Sequence, residues 1–297
     1  MNLSTKLLAT LACILWGSAF ASAKYAFGFM PPILLSGMRF TLAGLLLLPL
    51  LRYQKVDIFK EIKENWKFMS VFAFMQTFLQ YGIFYMGLDR VPADISAIII
   101  GAGPLFVVVM AHFTMKGEKI TTRKMLALLL ALSGVAFISW FKGGVAQESN
   151  AVFYIGVCML IFSNIIGSYT NIMVAKYKNT LSPILLTSFA NFTGGLMLFG
   201  CGFALEDFPS HSLNWQFYAS LLWLAVIPAA GFSIWYSLLQ RKGVKVSDLN
   251  MWKFIIPVSG CVLSWIFLKS DEPNLYSVVG IVVITLALRL YNGGKSK

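Results

Sequence analysis

One lysine lies inside a strongly apolar stretch in the second half of the chain. Lys253 occurs in the sequence Trp252-Lys253-Phe254, and Pro257 follows four residues later. Because proline has no backbone N–H, it leaves the carbonyl four residues back, that of Lys253, without its helical partner. We expect the ammonium group either to bind a carboxylate or phosphate, or to extend along the helix to a nearby membrane interface. The sequence leaves both interpretations open.

A second cation, Arg39, lies about a third of the way into another apolar stretch. An unpaired cation in hydrocarbon is costly, so Arg39 should face a cavity or backbone carbonyl groups. A structural role and contact with a ligand both satisfy this requirement.

Other polar side chains recur at helical spacing. Asn164, Ser168 and Asn171 are four and three residues apart, and Gln76 and Gln80 are four apart. Amides facing lipid would be left without hydrogen bonds, so we expect these stripes to line a cavity or to bond between helices. The predicted binding site is completed by one further amide and three aromatic residues, Asn191, Tyr81, Trp16 and Trp235.

Groups that could do acid–base or metal chemistry are few. Asp94 and Asp248 stand at the starts of apolar stretches, where we interpret them as helix caps. His112 is a candidate proton carrier or an interfacial histidine, and His211 lies in a loop. The four cysteines have no metal-site spacing, and no phosphate-binding loop occurs. We therefore predict no catalytic residue, no metal and no cofactor.

The composition is that of an integral membrane protein. Hydrophobic residues make up 58% of the chain and charged residues 12%, against about 25% charged in soluble domains. Spanning a bilayer as a helix takes about 20 mainly apolar residues. The sequence predicts an all-α fold with ten such spans, at residues 7–26, 31–51, 68–88, 93–112, 125–140, 151–174, 183–203, 217–239, 247–268 and 275–290.

The net charge of +12 reports topology rather than a nucleic-acid partner. With the N-terminus inside, the inner segments hold 18 lysines and arginines and the outer loops hold three, Arg90, Lys142 and Lys269. Basic loops stay in the cytoplasm, so we predict that both termini are cytoplasmic. Residues 1–23 also have features of a signal peptide, but they belong to a duplicated segment.

The chain contains an internal duplication. Pro32-Ile33-Leu34-Leu35 returns as Pro183-Ile184-Leu185-Leu186, and Ala23-Lys24-Tyr25 returns as Ala175-Lys176-Tyr177. Pro104 and Glu118 correspond to Pro257 and Asp271, so all offsets lie between 151 and 153 residues. Two repeats are predicted, residues 1–145 and 146–297. Because five spans is an odd number, the second repeat is expected to be inverted, with a ligand site near the midplane between the repeats.

The whole chain resembles the EamA branch of the drug/metabolite transporter superfamily. The residues that carry the resemblance are Leu15-Trp16-Gly17-Ser18, Pro32 with Arg39, Tyr81 to Pro104, Gly117-Glu118 with Gly134, and Tyr236 to Asp271 with Pro257-Val258. Members of that family export amino acids, other metabolites and drugs, and some take up metabolites. In the related nucleotide-sugar and sugar-phosphate carriers, a cation in the ninth span contacts the anionic substrate, which implies the same role for Lys253.

We therefore predict a secondary transporter of the inner membrane, working by alternating access, for a small organic metabolite such as an amino acid or another anionic or zwitterionic amphiphile. Pro104 and Pro257 are its predicted kinks. Expected partners are the metabolite and the lipid bilayer, with the chain a monomer or a homodimer and not an enzyme. The alternatives are a membrane-embedded enzyme and a structural membrane subunit. Positions where the repeats differ, such as Lys253 against Ile100 and Arg39 against Ala190, are the expected ligand contacts.

Overall fold

The fold was obtained as a computed structural model, which describes residues 3–116, 119–143, 150–177, 181–210, 213–268, 273 and 275–292. Helices account for nearly all of these residues, and no strand occurs among them. Glu118, Asp271, His211 and Lys269, and the side chain of Lys142, lie outside the described residues.

The helices group into ten segments, here numbered α1 to α10. Their bounds are α1 Leu3–Ala26, α2 Pro32–Tyr53, α3 Ile58–Arg90, α4 Ala93–Thr114, α5 Thr122–Gly143, α6 Asn150–Lys176, α7 Pro183–Leu205, α8 Trp215–Gln240, α9 Val246–Phe267 and α10 Leu275–Asn292. Among the described residues, eight of them, α1 to α4 and α6 to α9, are long and apolar enough to cross a membrane. The length and hydropathy of these helices therefore agree with the composition in indicating a protein that crosses the membrane several times.

The third segment begins about ten residues before its predicted start. Asp57 caps it by accepting a hydrogen bond from the backbone N–H of Lys60 (3.1 Å). The first turns carry exposed charged residues, including Lys63 and Lys67, which the sequence analysis placed in a loop. A local cap therefore extended the helix beyond its apolar part.

Three segments near the centre of the molecule are irregular. In α3, residues Phe74–Leu79 form a π-helical stretch, a feature that often marks functional sites. The helix of α4 is interrupted at Ala102, two residues before Pro104. In α9, a 3-10 turn over Met251–Phe254 separates two α-helical parts, and Pro257 lies in the first turn of the second part. Proline is tolerated there because its missing N–H would have no helical partner.

The main contacts of segments in one half recur for the corresponding segments, five places along, in the other half. The contact of α1 with α8 corresponds to that of α6 with α3, and α1 with α9 corresponds to α6 with α4. The pairs α2 with α7, α4 with α9 and α5 with α10 each map onto themselves. This exchange is what a two-fold relation between the halves produces.

The two halves approach most closely where α2 crosses α7. A Cβ atom on Gly37 would lie 2.4 Å from the Phe199 nitrogen, and one on Gly195 would lie 2.4 Å from the Thr41 nitrogen. Gly44 and Gly202 extend the same contact in both directions. Glycines spaced by seven residues on each helix therefore let two backbones touch, as small residues do in membrane helix pairs.

Each repeated Pro-Ile-Leu-Leu helix start is capped by a carboxylate from the other half. Glu206 accepts hydrogen bonds from the backbone N–H groups of Ile33 (2.9 Å) and Leu34 (2.8 Å) at the start of α2. Glu61 accepts one from Ser182 (2.7 Å) at the start of α7. These bonds satisfy N–H groups that have no partner within their own helix and tie the halves together at both ends of the crossing.

Replacement of Gly195 by alanine should destabilise the protein by about 1–3 kcal/mol, because the added methyl group overpacks a backbone contact. Gly200, on the same helix, is a matched control because nothing lies within 4 Å of its Cβ position. Gly200→Ala should leave stability unchanged or raise it slightly. Thermal unfolding in detergent micelles measures both, and equal midpoints for the two variants would refute the tight crossing.

Candidate functional site

A cavity of about 100 Å³, lined by polar and aromatic side chains, lies between the two halves. Its walls come from α1, α2, α3 and α4 of the first half and from α6, α8 and α9 of the second. Eight of the ten residues predicted to bind a ligand line it, namely Trp16, Arg39, Gln76, Gln80, Tyr81, Asn164, Ser168 and Lys253. The cavity is thus the place where the predicted polar stripes meet.

Lys253 faces this cavity from the 3-10 turn of α9. Its Nζ lies 3.4 Å from Oδ1 of Asn171, 4.8 Å from the ring centroid of Trp235 and 5.6 Å from that of Trp16. Indole rings attract an ammonium group through their negative faces. The side chain therefore points into the protein, and not along the helix to an interface.

Asn171 is held in one orientation by its neighbours. Its Nδ2 donates to the Gly167 carbonyl (2.7 Å), while its Oδ1 accepts from Nε1 of Trp235 (2.8 Å). The amide oxygen that meets Lys253 is therefore fixed by two other contacts. Trp235 is fully buried behind the cavity wall and does not line the cavity. It was predicted to contact a ligand, but in the structure it positions Asn171 instead.

The α6 stripe both lines the cavity and bonds to the interrupted part of α4. Asn164 donates from Nδ2 to the Ile99 carbonyl (2.8 Å), and the Ser168 hydroxyl lies 3.4 Å from the Gly103 carbonyl and 2.7 Å from that of Asn164. The two interpretations of the stripe, cavity lining and interhelical bonding, hold at the same time. Side chains from the second half thereby satisfy backbone groups at the break in the first half.

Arg39 is 2 % exposed and reaches the cavity from α2. One guanidinium nitrogen donates to the hydroxyl of Tyr85, and the group lies over the Phe40 ring at 4.4 Å from the centroid. Arg39 therefore makes structural contacts and also lines the cavity.

Three of the described wall residues have a buried side-chain N–H group without a hydrogen-bond acceptor. Within the described residues, Nε1 of Trp16, Nε of Arg39 and Nε2 of Gln76 have no hydrogen-bond acceptor. No aspartate or glutamate lies among the described residues of the wall. The two cations, Arg39 and Lys253, and the N–H groups of Trp16 and Gln76 therefore favour an acceptor with negative charge.

Asn191 was predicted to bind a ligand, but the structure does not place it on the cavity. It is fully buried in α7, and neither atom of its amide has a partner within the described part of the chain. Ser188, three residues earlier on the same helix, donates to the Gly44 carbonyl of α2, so this part of α7 packs on α2.

Two glycines of the wall were missed in the sequence analysis. A Cβ on Gly103 would lie 2.7 Å from Oδ1 of Asn164, and one on Gly167 would lie 2.6 Å from Nε2 of Gln80. Their positions beside Pro104 and within the α6 polar stripe were the available signals. Both glycines allow an amide to approach the backbone closely.

The acidic and histidine candidates have other positions. Asp94 is the second residue of α4 and not its cap, is fully buried, and accepts from the Ser277 hydroxyl of α10 (2.7 Å). Asp248 is likewise the third residue of α9, which Lys245 precedes as the cap residue. His112 accepts from the backbone N–H of Ile120 (3.1 Å) at the far end of α4. None of the three lines the cavity.

Replacement of Trp235 by phenylalanine should lower stability by about 1–3 kcal/mol, since a buried hydrogen bond to Asn171 and part of a buried ring are lost. Trp223→Phe is the control on the same helix: Trp223 is 44% exposed and donates to Ser18 over 3.2 Å. Its effect should stay within about 0.5 kcal/mol. Chemical unfolding in micelles measures the free energy of unfolding of both variants. An unchanged value for Trp235→Phe would contradict a stabilising role of the hydrogen bond between Trp235 and Asn171.

Comparison with known proteins identifies the family. The model of the EamA-like transporter family matches the chain twice, at residues 3–140 and 154–293. The chain is similar to the uncharacterized transporter YvbV of Bacillus subtilis (strain 168), with 28% identity over 97% of this chain and 91% of that protein. It is also similar to a probable amino-acid metabolite efflux pump of Escherichia coli (strain K12), with 22% identity over 96% and 94%. A crystal structure with 17% identity shares the fold, with a TM-score of 0.76 over 98% of this chain and 97% of that one. The chain belongs to the EamA-like transporter family.

Proposed function

We propose that this transporter moves a small organic anion or zwitterion, such as an amino acid, across the cytoplasmic membrane by alternating access. The observation that carries the proposal is the position of Lys253, whose ammonium group faces the cavity with no carboxylate on the described wall to neutralise it. An uncompensated cation at membrane depth is costly. An anionic substrate would supply the missing charge.

The other contacts of the cavity suit a carboxylate with an apolar body. Trp16, Arg39 and Gln76 offer the vacant N–H groups, which donate to carboxylate oxygens in short, charge-assisted hydrogen bonds when the acceptor is ionised. Aromatic rings form much of the remaining wall: Phe20, Tyr81, Phe84, Phe232 and Tyr236. This mixture favours an amphiphilic metabolite over a bare inorganic ion.

The size of the cavity favours a small substrate and a closed conformation. Pockets for drug-sized ligands have volumes of about 300–1,000 Å³, and this one has about 100 Å³. A metabolite larger than a few heavy atoms would need the surrounding helices to separate. We therefore assign the structure to a contracted state of the transport cycle.

The packing symmetry supports rocking of one half against the other. Five membrane-spanning segments in each half would invert the second repeat relative to the first, and the loop charges favour cytoplasmic termini. The segment contacts that exchange between the halves fit this arrangement. Relative motion of such repeats opens a central site to each side in turn.

The breaks in α4 and α9 are the proposed points of bending. They contact each other, since a Cβ on Gly101 would lie 2.5 Å from Cγ of Pro257. Each break also carries a wall residue, Gly103 in α4 and Lys253 in α9. Bending at Pro104 and Pro257 would therefore change the cavity directly.

The proposal of an amino acid as substrate also has support from a relative. The Escherichia coli protein with 22% identity is described as a probable amino-acid metabolite efflux pump. An amino acid presents one carboxylate to the donors of the cavity.

Proteoliposomes loaded with a mixture of amino acids and other carboxylates test the function by measuring which solutes leave or exchange. Lys253→Met should weaken the apparent affinity for anionic solutes about tenfold to hundredfold, because a hydrogen bond to a charged group contributes about 1.5–3 kcal/mol. Lys245→Met is the control, since Lys245 is an exposed lysine at the start of the same segment.

Failure of every loaded solute to move through the unmodified protein would overturn the transport proposal. Normal transport of anions by Lys253→Met would leave transport in place and remove Lys253 from the binding site.

A further inference from the structure

A second cavity, separate from the central one, opens on the side of the helix bundle. We call it the lateral groove. It has a volume of about 660 Å³ and lies among α1, α2, α7 and α8, with Leu8, Leu46, Leu50, Ile184, Ala230 and Arg241 among its walls. Leu46 and Leu50 are each 39% exposed, so the groove is open to the surroundings of the protein. It shares no wall residue with the central cavity.

The walls of the lateral groove are apolar except at one end. Along most of its length the polar groups are the hydroxyls of Ser233 and Ser237, of which Ser237 donates to the Ser233 carbonyl (2.7 Å). At the end stands Arg241, the first residue after α8, with one N–H donating to the hydroxyl of Thr5 (3.0 Å). An apolar slot that ends at a planar, permanently charged guanidinium matches a molecule with a long apolar part and an anionic head.

Three helices bring a basic residue to this same end. Lys6 lies two residues before Leu8, Arg52 two residues after Leu50, and Arg241 three residues after Leu238. Lys6 and Arg52 are exposed, and Arg241 is half-buried. Clusters of this kind attract anionic lipid headgroups on the cytoplasmic side of a membrane, the side on which we expect these helix ends to lie.

Two carboxylates that follow Arg52 in the chain have backbone partners. Asp57 accepts from the backbone N–H of Lys60, and Glu61 accepts from that of Ser182, next to the start of α7. Both accept from backbone N–H groups and neither is bonded to Arg241, whose guanidinium donates to Thr5.

We propose that the lateral groove binds one anionic phospholipid, with an acyl chain along the apolar walls and the phosphate paired with Arg241. The volume is in the range of specific ligand sites, about 300–1,000 Å³, and far larger than the central cavity. Arginine binds phosphate in a bidentate manner. This places a lipid between α1 and α2 of the first half and α7 and α8 of the second, across the boundary along which the halves are expected to move.

Native mass spectrometry of the full chain in mild detergent tests the site. The protein is incubated with equal amounts of phosphatidylglycerol and phosphatidylcholine, and the retained lipid is identified. The unmodified protein should keep one phosphatidylglycerol in preference to phosphatidylcholine. Arg241→Gln should reduce that preference about tenfold, and Arg241→Lys should restore part of it. Lys119→Gln, an equal loss of charge at an exposed position before α5, should keep the full preference.

Ala230→Phe tests the role of the apolar groove independently of the charge. The larger side chain fills the groove, and Arg241 stays in place. The variant should abolish retention of the single lipid of either kind, with a melting temperature close to that of the unmodified protein in lipid-free detergent. Equal preference in Arg241→Gln and the unmodified protein would overturn the proposal. So would full retention by Ala230→Phe, or a lipid-free dimer of the unmodified chain, which would show that a second copy covers the groove. None of these results depends on the transport activity.

Discussion

The close crossing of α2 and α7 is the contact on which the rest of the structure depends. Hydrocarbon solvent gives no hydrophobic drive for helices to associate, so the helices of this protein need close packing and interhelical hydrogen bonds. Glycines on both helices bring the backbones together, the Ser188 hydroxyl donates to the Gly44 carbonyl (2.8 Å), and Glu206 and Glu61 cap the ends.

A symmetric scaffold thus encloses an asymmetric cavity. The duplicated Pro-Ile-Leu-Leu starts build the crossing, whereas the two cations of the cavity come from positions where the repeats differ. Lys253 of the second half corresponds to Ile100 of the first, which lines the same cavity, and Arg39 corresponds to the buried Ala190. Duplication therefore accounts for the shape of the site, and divergence after duplication accounts for its charge.

The sequence predicted the helices and much of the cavity, because apolar length and polar spacing are local properties. Asn164, Ser168 and Gln80 were found by their spacing, and the break at Pro257 by its chemistry. Asn191 does not line the cavity, because α7 packs on α2 and α3, which are far away in the chain. Glu206 was not predicted as a cap because it lies 173 residues from Ile33. Contacts of that kind are set by the packing of whole helices, which no local pattern encodes.

Selection of negatively charged ligands by the cavity can be measured with a thermal-shift titration. The purified protein is titrated with matched sets of small metabolites that share an apolar body and carry a carboxylate, a zwitterion, an amide or an amine. We expect the carboxylates and zwitterions to raise the melting temperature of the protein with increasing concentration, because a ligand stabilises the state that binds it. The amines should leave the melting temperature unchanged. Stabilisation by the amines, with none by the carboxylates, would contradict this selection.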